Sequence, residues 1–203
     1  MKDFFTAKTD PWDDPSGQLH AYLLPGKDFI DWAIPILNRL GGCANLAVQP
    51  EEALHVTVQR IPHMRGDLSD HQIRHLLDAT AHAVSSLKPW TMDFSSPEVT
   101  CDSVLCFGEP VDKFHIVADA VRGAACDVLG SHACHYSAPP RPHITLAYAH
   151  GDADDAEAMK AVGDILPPPV NCEQVVWCAV HQNIDQGIYT FDVIGRIPVG
   201  LSA

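Results

Sequence analysis

Apolar and polar residues alternate with a period of two in several stretches of the chain, and each such stretch predicts a β-strand. Side chains two positions apart in a strand point to the same face, so this alternation predicts sheets with one buried face. The stretches are residues 19–24, 54–61, 90–94, 103–107, 142–148, 173–181 and 187–197. The last two stretches are separated by a short polar turn and predict a closing hairpin.

Helical spacing of apolar residues occurs between these strands. The predicted helices cover residues 29–40, 70–87, 112–129 and 154–165. Ser69 is a typical N-cap residue, and Gly41 and Gly130 are typical residues just beyond the end of a helix. A unit of strand, helix, strand and helix ends near Phe107, and a similar order of elements follows it. This order predicts an internal duplication of the layout.

The start of the chain differs from the rest. Residues 1–18 are rich in turn formers and acidic side chains and have no period that would bury them, so we interpret them as a leader arm. Residues 19–200 are then a single domain, long enough to bury a core without disulfides. The first residues lack the apolar region of a signal peptide, and no apolar run approaches about 18 residues. We therefore expect a cytoplasmic protein with no membrane partner.

The chain is acidic. Its 13 Lys and Arg residues against 26 Asp and Glu residues give a formal net charge of -13. This charge repels a polyanion at long range and is atypical of proteins that bind long nucleic acids. Because fields are local over roughly 8–10 Å at physiological salt, a small basic cleft can still exist within such a protein. A short or monomeric anionic substrate is therefore favoured.

The cysteines do not predict a framework of disulfides. The chain has 7 cysteines and no Cys-x-x-Cys pair, a pattern that favours reduced and mostly buried thiols. His132, Cys134 and His135 lie close together in sequence, but their spacing matches no closed zinc site. We predict no metal ligands, and we keep a metallohydrolase that uses this cluster as an alternative.

Two His-x-Thr triplets carry the candidate chemistry. His55 and Thr57 share one face of their predicted strand, and His143 and Thr145 share one face of theirs. A lone histidine on a strand is more often structural, but two such triplets in a duplicated layout indicate a paired site. Two imidazoles can accept and donate protons near pH 7 without a metal, and the hydroxyls can stabilise charge on phosphoryl oxygens.

These triplets, continued as His-Val-Thr-Val and His-Ile-Thr-Leu, resemble the signature motifs of the two-histidine (2H) phosphoesterase superfamily, in its 2′-5′ RNA ligase-like branch. The resemblance covers residues 19–198. It implies an α+β fold of two pseudo-symmetric lobes, with antiparallel sheets, outer helices and a central cleft. It also implies catalysis by the four side chains of the triplets, without a cofactor. By resemblance, His143 is the base and His55 is the acid in ring opening to a 2′-phosphate.

Four further residues are candidates for substrate binding. Strict alternation places Gln59 on the cleft face and Arg60 on the opposite face, so Arg60 can contact a phosphate only if a bulge rotates it. Arg141, just before the second motif, is the other candidate for phosphate; either arginine could instead be a solvated charge at the rim. Tyr148 and Tyr22 could stack on a base, although a tyrosine on a sheet more often belongs to the core or rim.

The sequence therefore predicts a metal-independent phosphoesterase. Its expected substrate is a 2′,3′-cyclic phosphate or 2′-5′ phosphodiester of a small nucleotide or short RNA end, with ligation as the possible reverse reaction. The alternative is a non-catalytic nucleotide- or RNA-binding module with the same cleft, which would bind such ligands without turnover. We expect a monomer.

Overall fold

The computed structural model describes residues 1–7 and 16–200, so most of the predicted leader arm lies outside the described residues. The helices are α1 (Phe4–Ala7), α2 (Lys27–Leu40), α3 (Asp70–Val84), α4 (Val111–Leu129) and α5 (Asp155–Val162). The strands are β1 (Ser16–Leu23), β2 (Leu46–Val48), β3 (Val56–Met64), β4 (Trp90–Phe94), β5 (Glu98–Val99), β6 (Ser103–Glu109), β7 (His143–Ala149), β8 (Val170–Cys172), β9 (Gln174–Asn183) and β10 (Ile188–Pro198).

The ten strands form one antiparallel sheet with two halves. The first half has the order β10-β9-β1-β3, and the second has the order β7-β6-β4-β8, with β2 beside β7 and β5 beside β6. The halves join where β3 pairs with β7, and the residues paired there are Val56 and Ile144. β9 and β10 form the predicted closing hairpin. The predicted α+β fold of two lobes is confirmed.

Helices α2 to α5 pack on the outer side of both halves. α3 and α4 pack on each other and against β10 and β3, while α2 and α5 pack on each other and near β7 and β5. The division of the strands between the two lobes differs from the prediction, because β4 and β6 belong to the second half of the sheet and not to the first. Pairing of β6 with β7, which is distant in sequence, decides their place. Among the described helices, none is both long and apolar enough to cross a membrane.

Two strand boundaries differ from the prediction. β1 begins at Ser16, within the segment interpreted as a leader arm, and pairs there with β9. β3 continues through Pro62, which we expected to stop it, as far as Met64. Between Gln18 and His20, the pairing of β1 with β3 is irregular. Proline has no N–H group to donate, and it is tolerated in a strand at such an irregularity because no ladder hydrogen bond is lost there.

A buried hydrogen bond links the helical layer to the sheet. The hydroxyl of Thr80 in α3 accepts a hydrogen bond from Nε1 of Trp177 in β9 at 3.1 Å and donates to the carbonyl of Leu76 at 2.8 Å. Trp177 and Thr80 are both 0% exposed. A buried N–H donor without a partner is costly, so this contact fixes how α3 lies on the first half of the sheet.

Replacing Thr80 with Val keeps the shape of the side chain but leaves the Trp177 N–H buried without its acceptor. We expect the free energy of unfolding to fall by about 1–3 kcal/mol, as measured by urea denaturation. Thr91→Val on the exposed face of β4 is the matched control and should change stability by less than about 0.5 kcal/mol. Equal effects of the two substitutions would contradict this account.

Candidate active site

A cavity of about 990 Å³ lies where the two halves of the sheet meet. Its walls come from β1 and β3 of the first half and from β6 and β7 of the second half. The four side chains of the His-x-Thr triplets line it together: His55, Thr57, His143 and Thr145. The volume lies at the upper end of the range for sites that hold small ligands, roughly 300–1,000 Å³. The structure therefore brings all four predicted residues into one site.

The pairing of β3 with β7 explains why the four side chains meet. Val56 lies opposite Ile144, and each of these residues directly follows its motif histidine. Residue numbers in an antiparallel pair run in opposite directions, so this register sets Thr57 beside His143 and His55 beside Thr145. Directly opposed residues of such strands have Cβ atoms about 4.5–5.5 Å apart. Each histidine thus has a threonine from the other lobe as its neighbour.

The two histidine rings are oriented in the same way. Nδ1 of His55 lies 2.7 Å from the carbonyl oxygen of Ala53, and Nδ1 of His143 lies 3.0 Å from that of Arg141. A carbonyl oxygen can only accept, so each Nδ1 carries the proton and donates it to the residue two positions earlier. In the neutral form of either ring, Nε2 therefore carries the lone pair. That nitrogen is the one available to a substrate in the cavity.

His55 is packed between aromatic rings. The ring of Tyr22 stacks on it at 3.7 Å between centroids with a 19° angle between the planes, and Phe191 meets it edge-on at 5.9 Å. Burial lowers the pKa of His55 from its usual 6.5 to about 4; the hydrogen bond from its Nδ1 to Ala53 opposes this change, and the nearby His143 adds to it. His55 is therefore neutral at pH 7.

Residues of β1 that sequence reasoning missed support this stack. Nδ1 of His20 lies 2.8 Å from the hydroxyl of Tyr22, and its Nε2 lies 2.9 Å from Oε1 of Gln18. Gln18 and His20 also line the cavity. Burial, followed by the charges of Arg60 and His55, lowers the pKa of His20 well below 6.5, so this ring is neutral too. The alternation of β1 was the available signal, because residues 18, 20 and 22 share one face.

A bulge in each motif strand changes which residue faces the cavity. Tyr22 pairs with Thr57 but Ala21 pairs with Gln59, so β3 has one extra residue after the motif threonine. Leu105 pairs with Thr145 but Val104 pairs with Ala147, so β7 has an extra residue at the equivalent position. An extra residue reverses the alternation beyond it. The fifth residue after each histidine, and not the fourth, therefore turns toward the cavity.

In β3 that fifth residue is Arg60. Its side chain is exposed and lines the cavity, with the guanidinium 4.8 Å from the centroid of the Tyr136 ring. Gln59 is 0% exposed, and its Nε2 donates to the carbonyls of Arg60 and Tyr136, both at 2.8 Å. The expectation that Gln59 faces the cleft is wrong, and the bulge that the Arg60 alternative required is present. Among the described residues that line the cavity, Arg60 alone carries a permanent positive charge.

In β7 the equivalent residue is Tyr148, which also lines the cavity. Its hydroxyl shares a hydrogen bond with the side chain of Thr145, and burial raises the pKa of Tyr148 well above 10, so the phenol keeps its proton. A protonated phenol can donate this bond. The hydroxyl hydrogen of Thr145 is then free to point toward a ligand.

Two predicted binding residues lie elsewhere. Tyr22 is 1% exposed and packs behind His55, so it supports that ring and does not present a face to a base. The guanidinium of Arg141 lies 3.7 Å from a carboxylate oxygen of Glu109 and 4.2 Å from the centroid of the Phe107 ring, outside the set of residues that line the cavity. These partners hold it at the surface. Arg141 contributes its backbone carbonyl to the site.

The histidine- and cysteine-rich segment after α4 was the basis of the metallohydrolase alternative. His132 lies 5.5 Å from the ring centroid of His63 and 6.2 Å from that of His135. Cys134 directs its thiol to the carbonyl of Arg122 at 3.8 Å. Within residues 1–7 and 16–200, no three side chains of His, Cys, Asp or Glu are grouped so that they could hold a metal ion.

Comparison with known proteins yields similarities in structure only. No family model matches the chain, and no curated protein matches it in sequence. The chain superposes on the protein TT0787 of Thermus thermophilus with a TM-score of 0.71 at 15% identity, covering 90% of this chain and 97% of the other. LigT of E. coli, solved in complex with NADP+, gives a TM-score of 0.66 at 13% identity, covering 92% and 99%.

A protein described as a phosphoesterase also has this fold. It gives a TM-score of 0.62 at 15% identity, covering 91% of this chain and 99% of the other. At such identities the similarity establishes the fold, which is the one that the resemblance to 2H phosphoesterases implied. These superpositions cover nearly the whole length of each protein, so the bilobal architecture is shared and not just one lobe.

The burial of His55 leads to a prediction about its titration. We expect the His55 ring to stay neutral, with the proton on Nδ1, until the pH falls to about 4. Long-range ¹H–¹⁵N NMR correlations report both the tautomer and the midpoint, and the signals lost in His55→Gln assign the residue. In Tyr22→Ala, more of the ring is exposed to water and the pKa should rise toward its usual value. A midpoint near 6.5 in the unmodified protein would show that the ring is not buried as described.

Proposed function

We propose that the protein is a metal-independent phosphoesterase that opens nucleoside 2′,3′-cyclic phosphates or hydrolyses 2′-5′ phosphodiesters. The observation that carries this proposal is the matched orientation of two histidines. His55 and His143 line one cavity, come from opposite lobes, and each uses Nδ1 to donate to the carbonyl two residues earlier. Both Nε2 atoms are thereby available to a phosphate placed between them.

In-line opening of a cyclic phosphate needs two proton transfers on opposite sides of phosphorus. One imidazole takes a proton from water as the water oxygen bonds to phosphorus. The bond from phosphorus to one ribose oxygen then breaks, and the other imidazole gives its Nε2 proton to that leaving oxygen. Exchange of protons with solvent restores both rings. Two histidines therefore account for the whole reaction, and the reverse sequence accounts for ligation.

The burial of His55 favours it as the base. A base must be unprotonated before the reaction, and a pKa of about 4 keeps the lone pair of Nε2 available at pH 7. His143 then supplies the proton to the leaving oxygen. This assignment is the reverse of the one that the family resemblance implies. It predicts that activity persists on the acidic side of neutrality, down to the pH at which His55 becomes protonated.

Thr57, Thr145 and Arg60 can bind the phosphate. The hydroxyls of Thr57 and Thr145 lie beside the two imidazoles and can donate to the non-bridging oxygens, where charge increases in the transition state. The guanidinium of Arg60 supplies charge-assisted hydrogen bonds to the same anion. Tyr148 shares a hydrogen bond with Thr145, and its protonated phenol can donate that bond, so that the Thr145 hydroxyl can donate to the phosphate.

A small nucleotide is the substrate class that these features support. One arginine in the described lining of the cavity suits one phosphate, whereas long RNA needs many cations, and the chain carries a net charge of -13. The fold of E. coli LigT, which has been solved with 3′-AMP, with ATP and with phosphate, accommodates nucleotide ligands in that protein. A cyclic mononucleotide or a short RNA end is therefore the proposed substrate of this chain.

Removing either imidazole tests the proposal. We expect His55→Ala and His143→Ala each to lower turnover of a nucleoside 2′,3′-cyclic phosphate by roughly 10²–10⁴-fold, because each proton transfer contributes about that much. The double variant should be little worse, since both residues serve one reaction step. Near-normal turnover by either single variant would refute the mechanism. Retained binding with no turnover in the unmodified protein would instead support the non-catalytic module.

The two arginines near the motifs provide a matched comparison. Arg60→Ala removes a cation from the cavity and should lower kcat/KM by roughly 10–100-fold, the loss expected for about 1.5–3 kcal/mol of charged hydrogen bonding. Arg141→Ala removes a surface side chain but keeps the carbonyl that orients His143, so it should change kcat/KM by less than about threefold. A larger loss in Arg141→Ala than in Arg60→Ala would show that the phosphate site is elsewhere.

A further inference from the structure

Residues 1–7, here called the N-terminal segment, contribute to one wall of the cavity. The backbone N–H of Lys2 donates to the carbonyl of Cys101 at 2.7 Å, and the N–H of Ala153 donates to the carbonyl of Met1 at 3.2 Å. Phe5 is 5% exposed. These contacts hold the segment against the second half of the sheet, although its sequence gave no periodic signal.

This segment places Phe4 beside the aromatic residues of the cavity. The ring of Phe4 lies 4.2 Å from that of Tyr148, with a 34° angle between the planes. Phe5, underneath, contacts Tyr148 edge-on at 5.7 Å and stacks on Tyr189 at 5.7 Å. Phe4, Tyr148 and Tyr189 all line the cavity, and we call these three residues the aromatic wall.

The aromatic wall is close to the phosphate site. Tyr148 follows Thr145 by three positions in the same strand, and its hydroxyl shares a hydrogen bond with the Thr145 side chain. In a nucleoside 2′,3′-cyclic phosphate, one ribose ring separates the phosphate from the base. A phosphate between His55 and His143 therefore leaves the base within reach of Phe4 and Tyr148.

The chemistry of this wall matches a nucleobase better than a sugar or polyol. Every nucleobase has a π-face that stacks on aromatic side chains, whereas an aliphatic alcohol cannot use such a surface in this way. A network of hydroxyls and a carboxylate also lines the cavity: Thr100 Oγ1 lies 2.9 Å from Ser103 Oγ, which lies 3.1 Å from Oδ1 of Asp102. Polar groups of this kind can bind the edge of a stacked base.

The spacing of the rings limits how a base can bind. A flat ring inserted between Phe4 and Tyr148 would need them about 7–8 Å apart, twice the optimal separation of about 3.5–4.0 Å between contacting carbon atoms. Their centroids are 4.2 Å apart, so the base must pack against the outside of the pair. Phe4 then forms part of the stacking surface itself.

We propose that Phe4, supplied by the N-terminal segment, forms with Tyr148 a stacking subsite for the nucleobase of the substrate. The substrate class is then nucleoside cyclic phosphates, in preference to cyclic phosphates of base-free sugars or polyols. This proposal rests on the function proposed above, because it places the phosphate between the two histidines.

The test compares kcat/KM for two substrates: adenosine 2′,3′-cyclic phosphate and the 2,3-cyclic phosphate of methyl riboside, which has no base. The unmodified protein should prefer the nucleoside by at least about tenfold, because only the nucleoside has a base that can stack on the aromatic wall. Phe4→Leu keeps an apolar side chain of similar size without a π-face and should reduce this preference by about fivefold or more. Phe4→Tyr, the matched control, should retain it.

The results distinguish a failure of the stacking subsite from a failure of the proposed function. An equal loss with both substrates in Phe4→Leu, or no preference in the unmodified protein, would overturn the subsite while leaving the phosphoesterase activity intact. If neither substrate is turned over, the proposed function fails. The subsite is then tested by the Kd of 3′-AMP against that of methyl riboside 3-phosphate. Tighter binding of 3′-AMP that Phe4→Leu weakens and Phe4→Tyr restores would support it, and equal Kd values would overturn it.

Discussion

The site depends on the pairing of two strands that are far apart in sequence. Where β3 meets β7, Val56 lies opposite Ile144, and the residue before each is a histidine. This register brings the two His-x-Thr triplets together with approximate twofold symmetry. A slip of one residue would turn the motif side chains on one strand to the opposite face of the sheet. The placement of both triplets in one cavity, and with it the proposed proton transfers, depends on this single junction.

The two histidines occupy equivalent positions in the two lobes, but their surroundings differ. Both histidines donate from Nδ1 to the carbonyl two residues earlier, but only His55 has a tyrosine ring stacked on it. The bulge after each motif directs a cation, Arg60, to the cavity from one lobe and a phenol, Tyr148, from the other. Differences of this kind between two matched groups allow one to act as base and the other as acid.

Features set by local pattern could be predicted from the sequence. The strands that carry the motifs have clear alternation, and the histidine and threonine of each triplet share a face because residues two apart in a regular strand do so. The α+β architecture followed from the resemblance of the paired triplets. The closing hairpin followed from the two alternating stretches near the end of the chain.

Features set by contacts between distant residues could not be predicted. A bulge has no reliable local signal, so Gln59 was assigned to the cleft although Arg60 occupies it. Arg141 is next to a motif in sequence, yet Glu109 and Phe107 hold its guanidinium at the surface. The position of Phe4 at the cavity depends on backbone hydrogen bonds to residues about 100 and 150 positions away, which no periodicity can reveal.

The central claim is that two histidines open a cyclic phosphate without a metal. Phosphorus NMR of adenosine 2′,3′-cyclic phosphate incubated with the protein in EDTA tests it most directly. We predict that the resonance of the cyclic phosphate is replaced by that of a phosphomonoester, at a rate that EDTA does not change. A cyclic resonance that persists in the presence of folded protein, or a reaction that EDTA stops and added metal restores, would contradict the account.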